Sequence, residues 1–105
     1  MTPLKHRAAF YRTLAQLLAA GAQVQIAMTS AIAHLPRRDR TQANLTILPC
    51  LAQGEAISLA LAASALFPAD HLRFLSLAER SGHADALLRE LADFTDEVIA
   101  LRRII

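Results

Sequence analysis

Tryptophan is absent from this 105-residue sequence, aromatic residues make up only 5% of it, and it holds only three glycines and one cysteine. Each scarcity excludes something. Hydrophobic residues reach 54% with almost no aromatics among them, so the core must be assembled from Leu, Ala, Ile and Val, which are mostly helix formers. Three Gly and four Pro leave too few turn residues for a sandwich or barrel, and no stretch alternates with a period of two. A lone cysteine, Cys50, excludes an internal disulfide and a Cys-based zinc cluster and fits a reducing compartment. In its apolar run it reads as a small buried hydrophobe. No apolar run reaches the ~18 residues a membrane span needs, and Lys5, Arg7 and Arg12 interrupt any secretory leader behind Met1. A formal charge of +2 does not require a nucleic-acid partner. The chain reads as one soluble all-α domain spanning residues 1–105.

What is present is helical periodicity, punctuated at regular intervals. A first helix follows Pro3, with Phe10, Leu14, Leu17 and Leu18 on its buried face and Gly21 at its end. A second, about Gln23 to His34, buries Val24, Ala27 or Met28, Ala31 and Leu35 and stops before Pro36. Pro36 to Arg40 reads as an exposed polar linker, and a third helix begins near Asp39 or Thr41 and runs toward Gln53. Pro49 should kink or divide it, because proline removes the amide that would bond the Leu45 carbonyl. After Gly54, Ala56 to Leu66 is apolar nearly all round, which predicts a central helix. Pro68 opens a fifth helix that Gly82 closes. The sixth, from Ala84, is the longest. Its row Leu87, Leu91, Phe94, Val98, Leu101 and Ile105 recurs at spacings of four and three and predicts the buried seam. All three glycines thus fall at helix ends, and the expected fold is a compact antiparallel six-helix bundle.

Chemistry is harder to find. His6, His34, His71 and His83 never fall at i and i+4 with a second ligand, so they read as scattered surface histidines and no metal site is expected. Asp70 and His71 are adjacent and therefore point about 100° apart on a helix, too far to act as a catalytic pair. Ser58, Ser64, Ser76 and Ser81 lack a nucleophile-elbow setting, and no glycine-rich loop follows a strand, so neither acyl transfer nor nucleotide hydrolysis has visible machinery. Neither an enzyme nor a cofactor is expected. Arg37, Arg38 and Arg40 are candidate partner contacts, for an acidic protein, a phosphate or lipid headgroups. With Lys5, Arg7 and Arg12 they also compose the alternative reading, a small basic nucleic-acid-binding module, although no helix is dense in the residues that read bases. Glu79 lies in line with apolar positions of the fifth helix. It either pairs with Arg12 to fix how two helices meet, or both charges are independently solvated.

Taken in order, Phe10-x-Arg12-x-Leu14-Ala15-x-Leu17-Leu18-x-Ala20-Gly21, Gly54-x-x-Ile57-Ser58-x-Ala60-Leu61, Phe67-Pro68, Glu79-x-Ser81-Gly82 and Leu88-x-x-Leu91-Ala92-Asp93-Phe94 resemble the cytoplasmic F domain of the inner-membrane platform proteins of type II secretion and type IV pilus assembly, the GspF and PilC family. No one of these motifs is specific alone, and the resemblance lies in having them in register over almost the whole chain. The sequence departs from the pattern at Ala78, where the family usually has Gly, at Ala56, where it has a helix-capping Ser, at Ala84, where it has Leu, and at Pro49.

The resemblance implies a domain whose function is contact: a scaffold that meets the assembly ATPase, other inner-membrane assembly proteins and a second copy of itself, on the cytoplasmic face of a bacterial inner membrane. It marks Arg12, Gly21, Gly54, Ser58, Phe67, Pro68, Glu79 and Gly82 as structural signature positions. It also implies a transmembrane helix after the domain, which fits Arg102-Arg103-Ile104-Ile105 as a cytoplasmic flank, and the position of Met1 fits the first of two repeats. Homodimerisation is expected through an Ala-rich face of the first two helices.

Overall fold

The computed structural model describes residues 1–104, folded as six helices: α1 (Leu4–Ala19), α2 (Val24–Ile32), α3 (Arg37–Ala52), α4 (Ile57–Ser64), α5 (Ala69–Arg80) and α6 (Ala84–Ile104). No strand occurs among the described residues. Each helix packs on the next, and α6 returns onto α1 along the most extensive interface of the bundle.

The turns sort into two poles. Gly21, Gly54 and Gly82 all take positive φ (86°, 85° and 76°) just past α1, α3 and α5, the left-handed step that glycine takes at least steric cost. Pro3, Pro36 and Pro68 hold the positions just before α1, α3 and α5, where φ is preset and no helical amide is lost. The Thr2 amide donates to the Leu66 carbonyl at 3.0 Å, His6 Nδ1 lies 3.0 Å from the His34 carbonyl, and Pro3 and Pro36 line one hollow with Leu66. Those contacts gather the proline ends at one pole. At the other, Gln23, Gly54, Ile57 and Glu79 line a second hollow. The pattern is consistent with the antiparallel course expected of the bundle.

Aromatic side chains of α1 fill the middle. Phe10 and Tyr11 are fully buried, and the Phe67 ring lies 4.8 Å from Phe10 and 5.8 Å from Tyr11, centroid to centroid. Around them pack Leu14, Met28, Ile47, Leu61, Leu75 and Leu88, a core of aliphatic residues pinned by one small aromatic cluster.

Four expectations need correction. First, Pro36 to Arg40 is not a linker: α3 begins at Arg37, because Pro36 presets the entry and its carbonyl accepts the Arg40 amide at 2.9 Å. Second, Pro49 does not divide α3. It lies in the exposed last turn, and the carbonyl it leaves unpaired belongs to Leu45, whose side chain is 72% exposed, so water reaches that face. Third, α4 is a wall of the bundle and not its centre: Ile57, Ala60 and Leu61 point inward, while Leu59, Ala62 and Ala63 face solvent. Fourth, the buried stripe of α6 is Leu88, Leu91, Ala92 and Thr95, rotated from the expected row. Phe94 and Leu101 of that row are 54% and 60% exposed, and Ile105 lies outside the described residues. Small and polar members hid the true stripe. Thr95 is tolerated in the core because its hydroxyl donates to the Leu91 carbonyl at 2.7 Å.

Candidate functional site

Glu79, in the last turn of α5, is half-buried and reaches across to the start of α4. Its Oε2 accepts the Ile57 amide at 2.7 Å and its Oε1 accepts the Ser58 amide at 2.9 Å. Ala56, the residue before α4, has no side chain able to do this. A carboxylate from a distant helix therefore supplies the missing cap, on two amides that have no partner inside their own helix. Gly54 and Gly82 are the stops beside this clamp, and Ser58 is buried within it.

Arg12 does not meet Glu79. Its Nη2 donates to Asp93 Oδ1 at 3.0 Å and to Asp96 Oδ2 at 2.7 Å on α6, and these two bonds raise its pKa above the ordinary guanidinium value. The expected pair thus resolves into two separate devices, one fixing α5 to α4 and one fixing α1 to α6. Beside the Arg12 bridge runs a groove floored by Ala8, Ala9, Ile99 and Ala100 and edged by Lys5 and Arg103.

A third cluster went unread in the sequence. His71 is 8% exposed, not a surface histidine, and its Nδ1 lies 3.0 Å from the Tyr11 hydroxyl. Burial lowers the His71 pKa and raises that of Tyr11, so a neutral imidazole and a neutral phenol share this hydrogen bond. Buried Arg7 lies alongside and donates to the Thr2 carbonyl at 3.3 Å, while the Thr2 hydroxyl donates to Asp39 at 3.1 Å. The i and i+4 spacing of Arg7 and Tyr11 was the available signal. These groups tie the N-terminal segment to α3 and α1 to α5, the first bond at the edge of the proline-pole hollow and the second inside the core. Among the described residues, no three His, Cys, Asp or Glu side chains converge.

Phe67 is buried in the aromatic cluster with Pro68 just ahead of α5, and Gly21 follows the end of α1. Arg37 and Arg38 are exposed and Arg40 half-exposed in the first turn of α3. Of the alanines on the first two helices, Ala15, Ala27 and Ala31 are buried in the core, whereas Ala19 is exposed and Ala9 half-exposed. The large apolar side chains that do face solvent include Phe74, Leu77, Phe94 and Leu101 on α5 and α6. Among the described residues, no helix is long and apolar enough to cross a membrane.

Comparison with known proteins places this frame. No curated protein sequence matches the chain. A family model described as type II secretion system (T2SS), protein F, matches residues 10–105, which takes in Arg12, all three glycine stops, Phe67-Pro68 and Glu79. The chain belongs to the type II secretion system protein F family, the inner-membrane platform proteins of type II secretion and type IV pilus assembly.

Proposed function

We propose that this chain is a cytoplasmic F-type domain of a platform protein, a scaffold that contacts the assembly ATPase and other inner-membrane assembly proteins and pairs with a second copy of itself. The observation that carries the reading is the family match over residues 10–105. Two features support it: Glu79, Arg12 and the Tyr11–His71 pair join one helix to another, and among the large apolar side chains left outside, Phe74, Leu77, Phe94, Leu101 and Ile104 lie on α5 and α6. Arg12, Gly21, Gly54, Ser58, Phe67, Pro68, Glu79 and Gly82 hold the frame in this reading. Phe74, Leu77 and Phe94, exposed by 58%, 61% and 54%, supply protein contact.

Titration of the purified chain into the assembly ATPase of the same organism, read by calorimetry, tests it. Saturable binding that Phe74→Glu or Phe94→Glu weakens at least about tenfold is the expected result. Absence of binding to the ATPase and to every inner-membrane assembly protein offered would overturn it. Sedimentation at rising concentration tests the dimer separately, and a monomer throughout would remove that part.

A further inference from the structure

The proline pole collects base. Lys5 and Arg103 edge the same groove between α1 and α6, and Arg38 shares a hollow with Pro3 and Pro36. Arg37 and Arg40 flank Arg38 in the first turn of α3, and Arg102 precedes Arg103. Lys5, Arg37, Arg38, Arg102 and Arg103 are all exposed, and Arg40 is half-exposed. The acids nearest these bases are Asp39, already bonded to Thr2, Asp70 at the start of α5, and Asp96, which lines the Lys5–Arg103 groove and is already paired with Arg12. Glu55, Glu79 and Asp85 lie instead toward the glycine pole. Arg80 and Arg89 stand among those acids, so the excess of exposed base over acid in this near-neutral chain is at the proline pole.

The placement is not what helix stability favours. Arg102 and Arg103 suit the C-terminus of α6, but Arg37, Arg38 and Arg40 crowd the N-terminus of α3, where the helix dipole is already positive. A local arrangement that runs against its own helix points to a use elsewhere. Among the bases stand two apolar side chains open to solvent, Leu101 at 60% and Ile104 at 81% exposure. Bases interleaved with exposed aliphatics match the headgroup layer of an anionic bilayer, which attracts the charge and takes up the apolar chains. Against a phosphodiester backbone the aliphatics would gain nothing.

We infer that the proline pole, through Lys5, Arg37, Arg38, Arg102 and Arg103 with Leu101 and Ile104, docks on the anionic phospholipid surface of the membrane. The inference rests on the cytoplasmic, inner-membrane reading above and adds to it a lipid-contacting face on the folded domain.

Co-flotation of the chain with vesicles tests it, comparing pure phosphatidylcholine with phosphatidylcholine containing about a third phosphatidylglycerol, at low salt and at about 0.15 M ionic strength. The expected result is partition onto the phosphatidylglycerol vesicles only, weakened by salt. Arg102→Glu with Arg103→Glu, and separately Arg37→Glu with Arg38→Glu, should each lower partition at least about tenfold. The second pair places acids at a helix N-terminus, which favours folding, so its loss of binding is not a loss of structure. Arg80→Glu with Arg89→Glu makes the same charge change toward the glycine pole and should leave partition nearly unaltered. Equal loss in that control, or no partition onto phosphatidylglycerol at low salt, would overturn the inference. So would a duplex DNA fragment that binds more tightly than the vesicles and loses binding with the same two pairs, which would favour nucleic acid. The Arg102 and Arg103 reversals should leave ATPase titration intact, so failure of the lipid face and failure of the scaffold reading remain distinguishable.

Discussion

The carboxylate of Glu79 and the backbone amide of Ser58 lie 2.9 Å apart although their residues belong to different helices, and the same carboxylate takes the Ile57 amide at 2.7 Å. The start of α4 is thus held by α5, and the Glu79-x-Ser81-Gly82 motif serves a helix other than its own.

This relationship predicts how the clamp fails. Glu79→Ala should destabilise the domain by about 1–2 kcal/mol, since it removes a charge-assisted cap from two amides. Glu79→Gln, which keeps one acceptor, should cost about half of that. Adding Ala56→Ser to Glu79→Ala should recover part of the loss by restoring a local cap at the position before α4. Urea unfolding of the four proteins measures all three effects, and no recovery in the double variant would contradict the capping role.

Arg12 and Glu79 should behave independently. A double-mutant cycle between them should give a coupling below about 0.5 kcal/mol, whereas Arg12 with Asp96 should couple by roughly 0.5–1 kcal/mol and lose most of that in high salt, as exposed ion pairs do. Coupling of the first pair larger than that of the second would restore the direct contact that the structure excludes.

Stability should depend on pH through His71. The groups facing it are Tyr11 and Arg7 from α1, Phe94 from α6 and Asp70 from its own helix. Burial and the nearby Arg7 charge lower its folded pKa, so the unfolded chain takes up the proton first. The contribution of neutral His71 is therefore complete above the ordinary imidazole pKa of 6.5 and is lost as pH falls below it toward the folded value. His71→Asn, whose amide can either accept from or donate to the Tyr11 hydroxyl and does not titrate, should flatten the melting temperature between about pH 7 and pH 5. A slope identical to that of the parent chain would contradict this account.

Ala65 follows α4 in the left-handed conformation, with φ of 58°. A Cβ there opposes the following carbonyl, so Ala65→Gly should raise stability by up to about 1 kcal/mol, the released strain being partly offset by the greater freedom of glycine in the unfolded chain. Gly54→Ala should do the reverse by about 1 kcal/mol through φ alone, because a Cβ at Gly54 would touch nothing within 4 Å. Thermal melts of the two variants should move in opposite directions.

Local chemistry was enough to determine the class and count of helices, because a positive-φ glycine, a proline at a first turn and an apolar repeat each act within a few residues of their own position. Gly21, Gly54, Gly82 and Pro68 were legible for that reason, and the register of their motifs carried the family. Tertiary structure alone decided which apolar row of α6 turned inward, that α4 is a wall, that His71 meets Tyr11 sixty residues away, and that Glu79 caps α4 while Arg12 bridges to Asp93 and Asp96. A charged or polar side chain carries no mark of its partner. Its choice depends on which helix ends the packing brings within 3 Å, and one-dimensional spacing does not contain that distance.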